Sequence, residues 1–160
     1  MRKLILALVA AALCAGCANS RPQPFTSHFD EAEYEPFNRQ GGGAIEGQAF
    51  LVAKGGDVKY GAGRVVALNP ATTYSTEWYE RSVIGYQPLE ESDPRVKPYS
   101  KSVLANGEGR FRFDGLPAGE YYLVCWINWY VTEYQQSGGI AYAKVKVEEG
   151  KTTEAVVTRR

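Results

Sequence analysis

The residue types that carry most enzymatic chemistry are scarce in this sequence. It has one histidine, His28, in a polar N-terminal region, and three cysteines, of which only Cys125 lies well inside the chain. Catalysis by Ser-His-acid or Cys-His groups needs a base beside the nucleophile. A zinc site needs several His, Cys or carboxylate ligands close together. The sequence therefore predicts no catalytic centre, no metal site and no cofactor.

Acidic clusters are the remaining candidates for acid–base chemistry. Glu90, Glu91 and Asp93 lie in one stretch, and Glu148 and Glu149 are adjacent in another. Two carboxylates about 5 to 9 Å apart across a cleft can hydrolyse glycosides. Clusters in loops are usually solvated, so we interpret these carboxylates as surface charges and expect no enzymatic activity.

Aromatic residues are abundant, with 6 Phe, 3 Trp and 11 Tyr in 160 residues. A strand from Tyr121 to Tyr130 would point alternate side chains to opposite faces. Cys125 then faces the core, where a thiol is inert. Flat aromatic rings on the other face and in the neighbouring loop could bind a sugar or a protein. The candidate binding residues are Trp126, Tyr130, Tyr122, Tyr86 and Tyr99.

Alternating apolar and polar residues predict about seven short strands, two pairs of which are expected to form hairpins with turns at Asn106-Gly107 and at Glu148 to Lys151. The predicted strands are Ile45 to Leu51, Val65 to Leu68, Ser100 to Leu104, Arg110 to Phe113, Tyr121 to Tyr130, Ala141 to Val147 and Thr153 to Thr158. The predicted core is Ile45, Ala49, Val66, Leu68, Phe111, Phe113, Tyr121, Leu123, Cys125, Ile127, Val145 and Val147.

Residues 74–100 interrupt the strand pattern. With Ser75 as N-cap and Gly85 as a left-handed C-terminal residue, the segment Thr76 to Ile84 is predicted to be a helix. Its apolar side would carry Trp78, Tyr79 and Val83. We expect this side to pack across the outer face of the strand 121–130. In the alternative, Trp126 and Tyr130 stay exposed with Tyr86 or Tyr99 as a binding platform.

The first sixteen residues have the features of an export signal: Arg2 and Lys3 precede an apolar run from Leu4 to Leu13. The stretch Leu13-Cys14-Ala15-Gly16-Cys17 resembles the lipobox of bacterial lipoproteins. This resemblance implies cleavage before Cys17, lipidation of that cysteine and, since Ala18 rather than Asp follows, an outer-membrane location in a Gram-negative envelope. Ordinary secretion and an uncleaved anchor are the alternatives.

Residues 17–43 are predicted to form the lipid anchor and a flexible tether, because they are polar and contain three prolines and three consecutive glycines. In the alternative, four aromatic residues dock part of this arm on the domain: Phe25, Phe29, Tyr34 and Phe37. Residues 44–160 would form the folded domain. Without the leader, 16 Lys and Arg face 18 Asp and Glu, and this slightly negative balance argues against a nucleic-acid partner.

The segment from Gly107 to Leu123, GEGRFRFDGLPAGEYYL, resembles the signature of carboxypeptidase regulatory-like domains. This resemblance implies an all-β, seven-stranded transthyretin-like or Ig-like sandwich, here with a short helix-containing insertion at about 74–100. Such modules are accessory, bind partners or glycans, and have no catalytic residues to carry over. We therefore expect a lipid-anchored, non-catalytic envelope protein that binds a protein or structural partner; the alternative is a glycan- or small-ligand-binding module.

Overall fold

The computed structural model describes residues 21–159 and consists of two four-stranded β-sheets packed face to face. The strands are β1 Gly43–Val52, β2 Val58–Tyr60, β3 Val65–Pro70, β4 Lys101–Leu104, β5 Arg110–Leu116, β6 Gly119–Thr132, β7 Gln135–Val147 and β8 Thr152–Val157. The predicted all-β sandwich with a helical insertion is confirmed. It has one strand more than expected, because the short β2 forms inside a glycine-rich loop.

The chain crosses between the sheets at two places where a hairpin was predicted. In the first sheet β1 pairs with β2 and β5 antiparallel and with β8 parallel. The second sheet has the order β4-β3-β6-β7. The links β4–β5 and β7–β8 therefore join different sheets, so the first predicted hairpin does not form, and of the second an antiparallel bridge between Tyr142 and Thr158 is present. At the first link, the Asn106 side chain accepts hydrogen bonds from the backbone N–H groups of Glu108 and Arg110 and holds a corner.

The inner faces of both sheets form the core that the period-two pattern predicts. Every predicted core residue is buried except Val145, which packs against the cluster and is partly buried. The core also takes in Leu51, Leu116 and Val157. Cys125 is fully buried and unpaired, and burial raises its pKa to about 11, so the thiol stays protonated at neutral pH.

The helix of the insertion begins three residues earlier than predicted. Helix α2 spans Thr73–Trp78 and continues as a π-helical turn over Tyr79–Ile84. Thr72 is its N-cap, and Ser75 occupies the third helical position, where the two side chains and backbones form a capping box. The turn ends at Gly85 as expected, but with φ −82°; the left-handed residue is Tyr86, with φ 54°.

The described part of the N-terminal arm, residues 21–42, lies on the sandwich. It contains helix α1, Glu31–Tyr34, followed by a 3-10 turn over Glu35–Phe37. Phe25 stacks on Tyr74 with ring centroids 4.5 Å apart, and Tyr34 is almost completely buried. These residues therefore follow the docked alternative rather than a free tether, since their aromatic rings gain apolar contacts that the polar composition does not reveal.

Two predicted features fall on residues that the structure does not describe. The export signal and Cys17 both lie before residue 21. Within the described residues, no helix is long and apolar enough to cross a membrane.

Candidate ligand-binding face

The outer face of β6 and β7 is covered by the insertion over half of its length. The Tyr79 ring stacks on Tyr122 with centroids 4.0 Å apart, and Val83 and Ile140 complete this small apolar cluster. Thr76 and Tyr122 share a hydrogen bond of 2.8 Å between their hydroxyl groups. Burial raises the pKa of Tyr79 to about 12. We call this region the covered half; here the helix packs across the sheet as predicted.

Tyr122 is therefore not available to a ligand. Only 3 % of its surface is exposed, because the ring of Tyr79 lies directly on it. The alternation along β6 correctly places Tyr122 on the outer face, but the insertion then buries it. The prediction of Tyr122 as a binding residue is corrected on this ground.

The other half of the same face is open. We call it the hairpin face and define it by Trp126, Asn128 and Tyr130 on β6 and by Gln136 and Gly138 on β7. Trp126 and Tyr130 are 60 % and 69 % exposed. Asn128 pairs with Gly138 and packs so closely on it that a Cβ at position 138 would lie 2.9 Å from the Asn128 Cβ. Two exposed rings thus flank the Asn128 side chain on this face.

Amide groups lie between these rings. The Asn128 amide donates a hydrogen bond of 3.4 Å to Oε1 of Gln136, and its own Oδ1 is buried with no hydrogen-bond partner in the described part of the chain. Gln136 is exposed, so its amide can also reach a ligand. Trp126 and Tyr130 are four residues apart on one strand, which separates their Cα atoms by about 13 Å. This separation is longer than one sugar ring and suits a short oligosaccharide.

The two remaining candidate tyrosines lie elsewhere. Tyr86 is half exposed and its hydroxyl accepts a hydrogen bond from Arg159, whose guanidinium lies next to Gly139 of β7. Tyr86 is therefore at the edge of the same sheet. Tyr99 is half-buried against Tyr34, with ring centroids 4.9 Å apart, and belongs to the contacts that hold the arm. The structure thus brings Trp126 and Tyr130 together and separates Tyr99 from them.

The acidic clusters hold loops in place. Asp93 pairs with Arg95 at 2.7 Å, and the hydrogen bonds from Arg95 lower the pKa of Asp93 to about 2. Glu148 pairs with Lys151, and Glu149 accepts a hydrogen bond from the backbone N–H of Gly42. Among residues 21–159, no group of three or more His, Cys, Asp or Glu side chains could hold a metal ion.

Glu77 connects the arm to the insertion, a role that no pattern in the sequence indicates. Its carboxylate accepts hydrogen bonds from the backbone N–H groups of Thr26 and Ser27, from the Ser27 hydroxyl and from the guanidinium of Arg81. Burial acts to raise the pKa of Glu77, but these hydrogen bonds outweigh it and hold the pKa well below the usual range. We call this arrangement the Glu77 clasp; it fixes the arm to the insertion.

No protein-family model and no curated protein matches this chain. Among solved structures, it is similar to a protein from Pseudomonas aeruginosa described as a "putative carbohydrate binding protein". The identity is 27 %, the match covers 83 % of this chain and 99 % of that one, and the TM-score is 0.72.

Two pilus proteins show much weaker likeness. A minor pilin of Streptococcus agalactiae is 18 % identical, with a TM-score of 0.42 over 75 % of this chain and 44 % of that one. The pilus backbone protein of Streptococcus pneumoniae is 12 % identical, with a TM-score of 0.30 over 72 % and 41 %. The similarity that informs the fold is therefore the one to the Pseudomonas protein.

Proposed function

We propose that this chain is a non-catalytic protein of the Gram-negative cell envelope, lipid-anchored at Cys17 in the outer membrane, whose β-sandwich binds carbohydrate through the hairpin face. The observation that carries the proposal is the pair of exposed rings, Trp126 and Tyr130, on a sheet face that is otherwise covered. The similarity to the Pseudomonas protein supports the carbohydrate class.

The chemistry of the hairpin face favours a sugar over a protein partner. An aromatic ring stacks on the C–H face of a pyranose, while an exposed amide such as that of Gln136 bonds its hydroxyls. A stable protein interface needs roughly 800 Å² on each partner and a well-packed apolar centre. Two rings whose Cα atoms lie about 13 Å apart do not form such a centre, so the protein partner expected from the sequence becomes the rival outcome of the test.

Binding of soluble and cell-wall polysaccharides, measured by affinity electrophoresis and pull-down, tests the site. We expect saturable binding that free oligosaccharide competes for. Trp126→Ala together with Tyr130→Ala should weaken it about tenfold or more, since each stacked ring contributes about 0.5 to 1.5 kcal/mol beyond its buried area. Tyr60→Ala is the matched control, because Tyr60 is 48 % exposed on the other sheet.

Two results would contradict the carbohydrate proposal. One is polysaccharide binding that is unchanged in the Trp126 and Tyr130 double variant. The other is a protein captured by mild crosslinking in cells whose capture depends on Trp126 while no saccharide competes; that result would favour the protein partner.

The anchor is tested separately. Three acyl chains on Cys17 would make membrane attachment effectively permanent, because each buried methylene contributes about 0.8 kcal/mol. Cells fed labelled palmitate should label the wild type and not Cys17→Ser, and the labelled protein should fractionate with the outer membrane. Equal labelling of both proteins would refute lipidation at this residue.

A further inference from the structure

The structure has a cavity that shares no lining residue with the hairpin face. This cavity of about 200 Å³ opens between the arm, α2 and the 3-10 turn Pro94–Tyr99. Buried Tyr34 and Tyr74 line it together with exposed Ser92 and Ser100. The cavity therefore runs from the aromatic contacts of the arm to the protein surface.

The size of the cavity limits its occupant to one ring. An apolar cavity of about 150 Å³ is known to hold benzene. The 200 Å³ available here therefore accommodates one six-membered ring with small substituents.

The charge of the lining limits the occupant further. None of the nine lining residues is charged. The neighbouring carboxylate of Asp93, whose backbone N–H donates to the Tyr74 hydroxyl, is already paired with Arg95. A charged ligand would be partly buried without a counter-ion, which is strongly unfavourable. The occupant is therefore neutral.

The lining also combines rings with hydrogen-bonding groups. Tyr34, Tyr74 and Trp78 supply aromatic surface, while Asn69, Ser92 and Ser100 supply an amide and two hydroxyls. Ser100 Oγ already donates a hydrogen bond to Asn69 Oδ1. The groups left to bond a ligand are the Ser92 hydroxyl and the Asn69 NH2, which a purely apolar ring could not use. A neutral ring that carries several hydroxyls satisfies both kinds of contact.

We infer that this cavity binds a single neutral hexopyranose residue, such as the end of a glycan chain. The ligand class rests on the proposed carbohydrate function, but the site does not include any residue of the hairpin face. Tyr34 belongs to the arm, which the Glu77 clasp holds in place, so the cavity is complete only while the arm is docked. Sugar binding and arm docking therefore stabilise each other.

Saturation-transfer NMR on the full-length protein, with methyl glycosides of glucose, galactose, mannose and N-acetylglucosamine as probes, tests this site. We expect millimolar binding of at least one of them, in keeping with so small a ligand. Ser92→Leu, which narrows the cavity at an exposed position, should weaken binding at least tenfold. Ser102→Leu makes the same change at an exposed serine of β4 outside the cavity and should leave binding unchanged.

The two proposals fail independently. Trp126→Ala should weaken polysaccharide binding by the hairpin face several-fold and leave the methyl glycoside signal intact. Glu77→Gln, which weakens the clasp, should reduce the methyl glycoside signal. The cavity proposal is overturned by the absence of binding for all four probes, or by binding that Ser92→Leu does not weaken while its melting temperature matches the wild type.

Discussion

The two halves of the outer face of β6 and β7 both carry aromatic side chains, but one half is buried and the other is exposed. In the covered half Tyr122 lies under Tyr79, whereas in the hairpin face Trp126 and Tyr130 are open to solvent. Alternation along one strand directs all three side chains to the same side. What distinguishes them is the insertion, whose Tyr79 lies 43 residues before Tyr122 and covers it, while Trp126 and Tyr130 stay exposed.

This difference supports the binding role proposed for the hairpin face. The insertion buries Tyr122 and Ile140 and leaves Trp126 and Tyr130 exposed. The outer face of the first sheet offers a contrast, because it carries ion pairs such as Arg112 with Glu46 and Arg112 with Asp114. Charged side chains are expected on a solvent-exposed sheet face, whereas the exposure of a Trp and a Tyr on one face requires a reason.

The largest expected effect comes from removing the cover. Deleting residues 76–87 and closing the gap with a short Gly-Ser link should uncover Tyr122, Ile140 and Tyr142 and also remove the Glu77 clasp. We expect a loss of more than about 4 kcal/mol in the free energy of unfolding, measured by denaturant titration. Hydrophobic dye binding should rise above the wild-type level, to which the hairpin face already contributes. A stable variant with unchanged dye binding would mean that the covered half needs no cover.

Tyr79→Ala tests the same contact with a single ring. The Tyr79 side chain is almost fully buried between Tyr122 and Tyr142, so its truncation should cost about 3 kcal/mol. Tyr79→Phe is the matched control, since it keeps the ring and should change stability by less than about 1 kcal/mol. Equal losses for both variants would assign the effect to the hydroxyl instead of to ring stacking.

Glu77→Gln should have a smaller, pH-dependent effect. Loss of the charge-assisted hydrogen bonds to Thr26, Ser27 and Arg81 should cost about 2 kcal/mol at neutral pH, while Glu80→Gln on the exposed side should cost less than about 0.5 kcal/mol. Because the folded-state pKa of Glu77 is lowered, its contribution is present above the unfolded value of 4.5 and is lost as the pH falls below it.

The difference in the free energy of unfolding between the wild type and Glu77→Gln should therefore become smaller below about pH 4.5. Denaturant titrations across a pH series would show this. Protease cleavage within residues 21–42 should also become faster in Glu77→Gln at neutral pH. A gap that stays constant with pH would indicate that the carboxylate charge of Glu77 does not hold the arm.

Much of the sandwich is predictable because it depends on local periodicity. Alternation in β5 and β6 places Phe111, Phe113, Leu123 and Ile127 in the core before any strand partner is known. The same alternation directs Trp126 outward. These predictions hold because one face of each strand is buried throughout, which is the condition under which a period of two is informative.

The remaining features depend on contacts that are distant in sequence. A turn at Asn106 is equally suitable for a hairpin and for a corner between sheets, and only the partners of β4 and β5 decide between them. The clasp joins Glu77 to Thr26, 51 residues earlier. Four aromatic residues in the arm indicate docking, but their composition does not specify a partner, so neither the clasp nor the cavity could be predicted.

The smallest expected effect on stability is that of Trp126→Ala. Trp126→Ala removes the larger ring of the hairpin face, yet this side chain is 60 % exposed and contacts no covering segment, so stability should change by less than about 0.5 kcal/mol. Tyr79→Ala also removes an aromatic ring, but from the covered half, and its expected loss in the free energy of unfolding is about six times larger. If Trp126→Ala instead lost 2 kcal/mol or more in denaturant titration, Trp126 would be a structural residue and the argument for a binding role would fail. A near-neutral Trp126→Ala that also loses polysaccharide binding would show that the exposed ring serves recognition, since nothing in the fold depends on it.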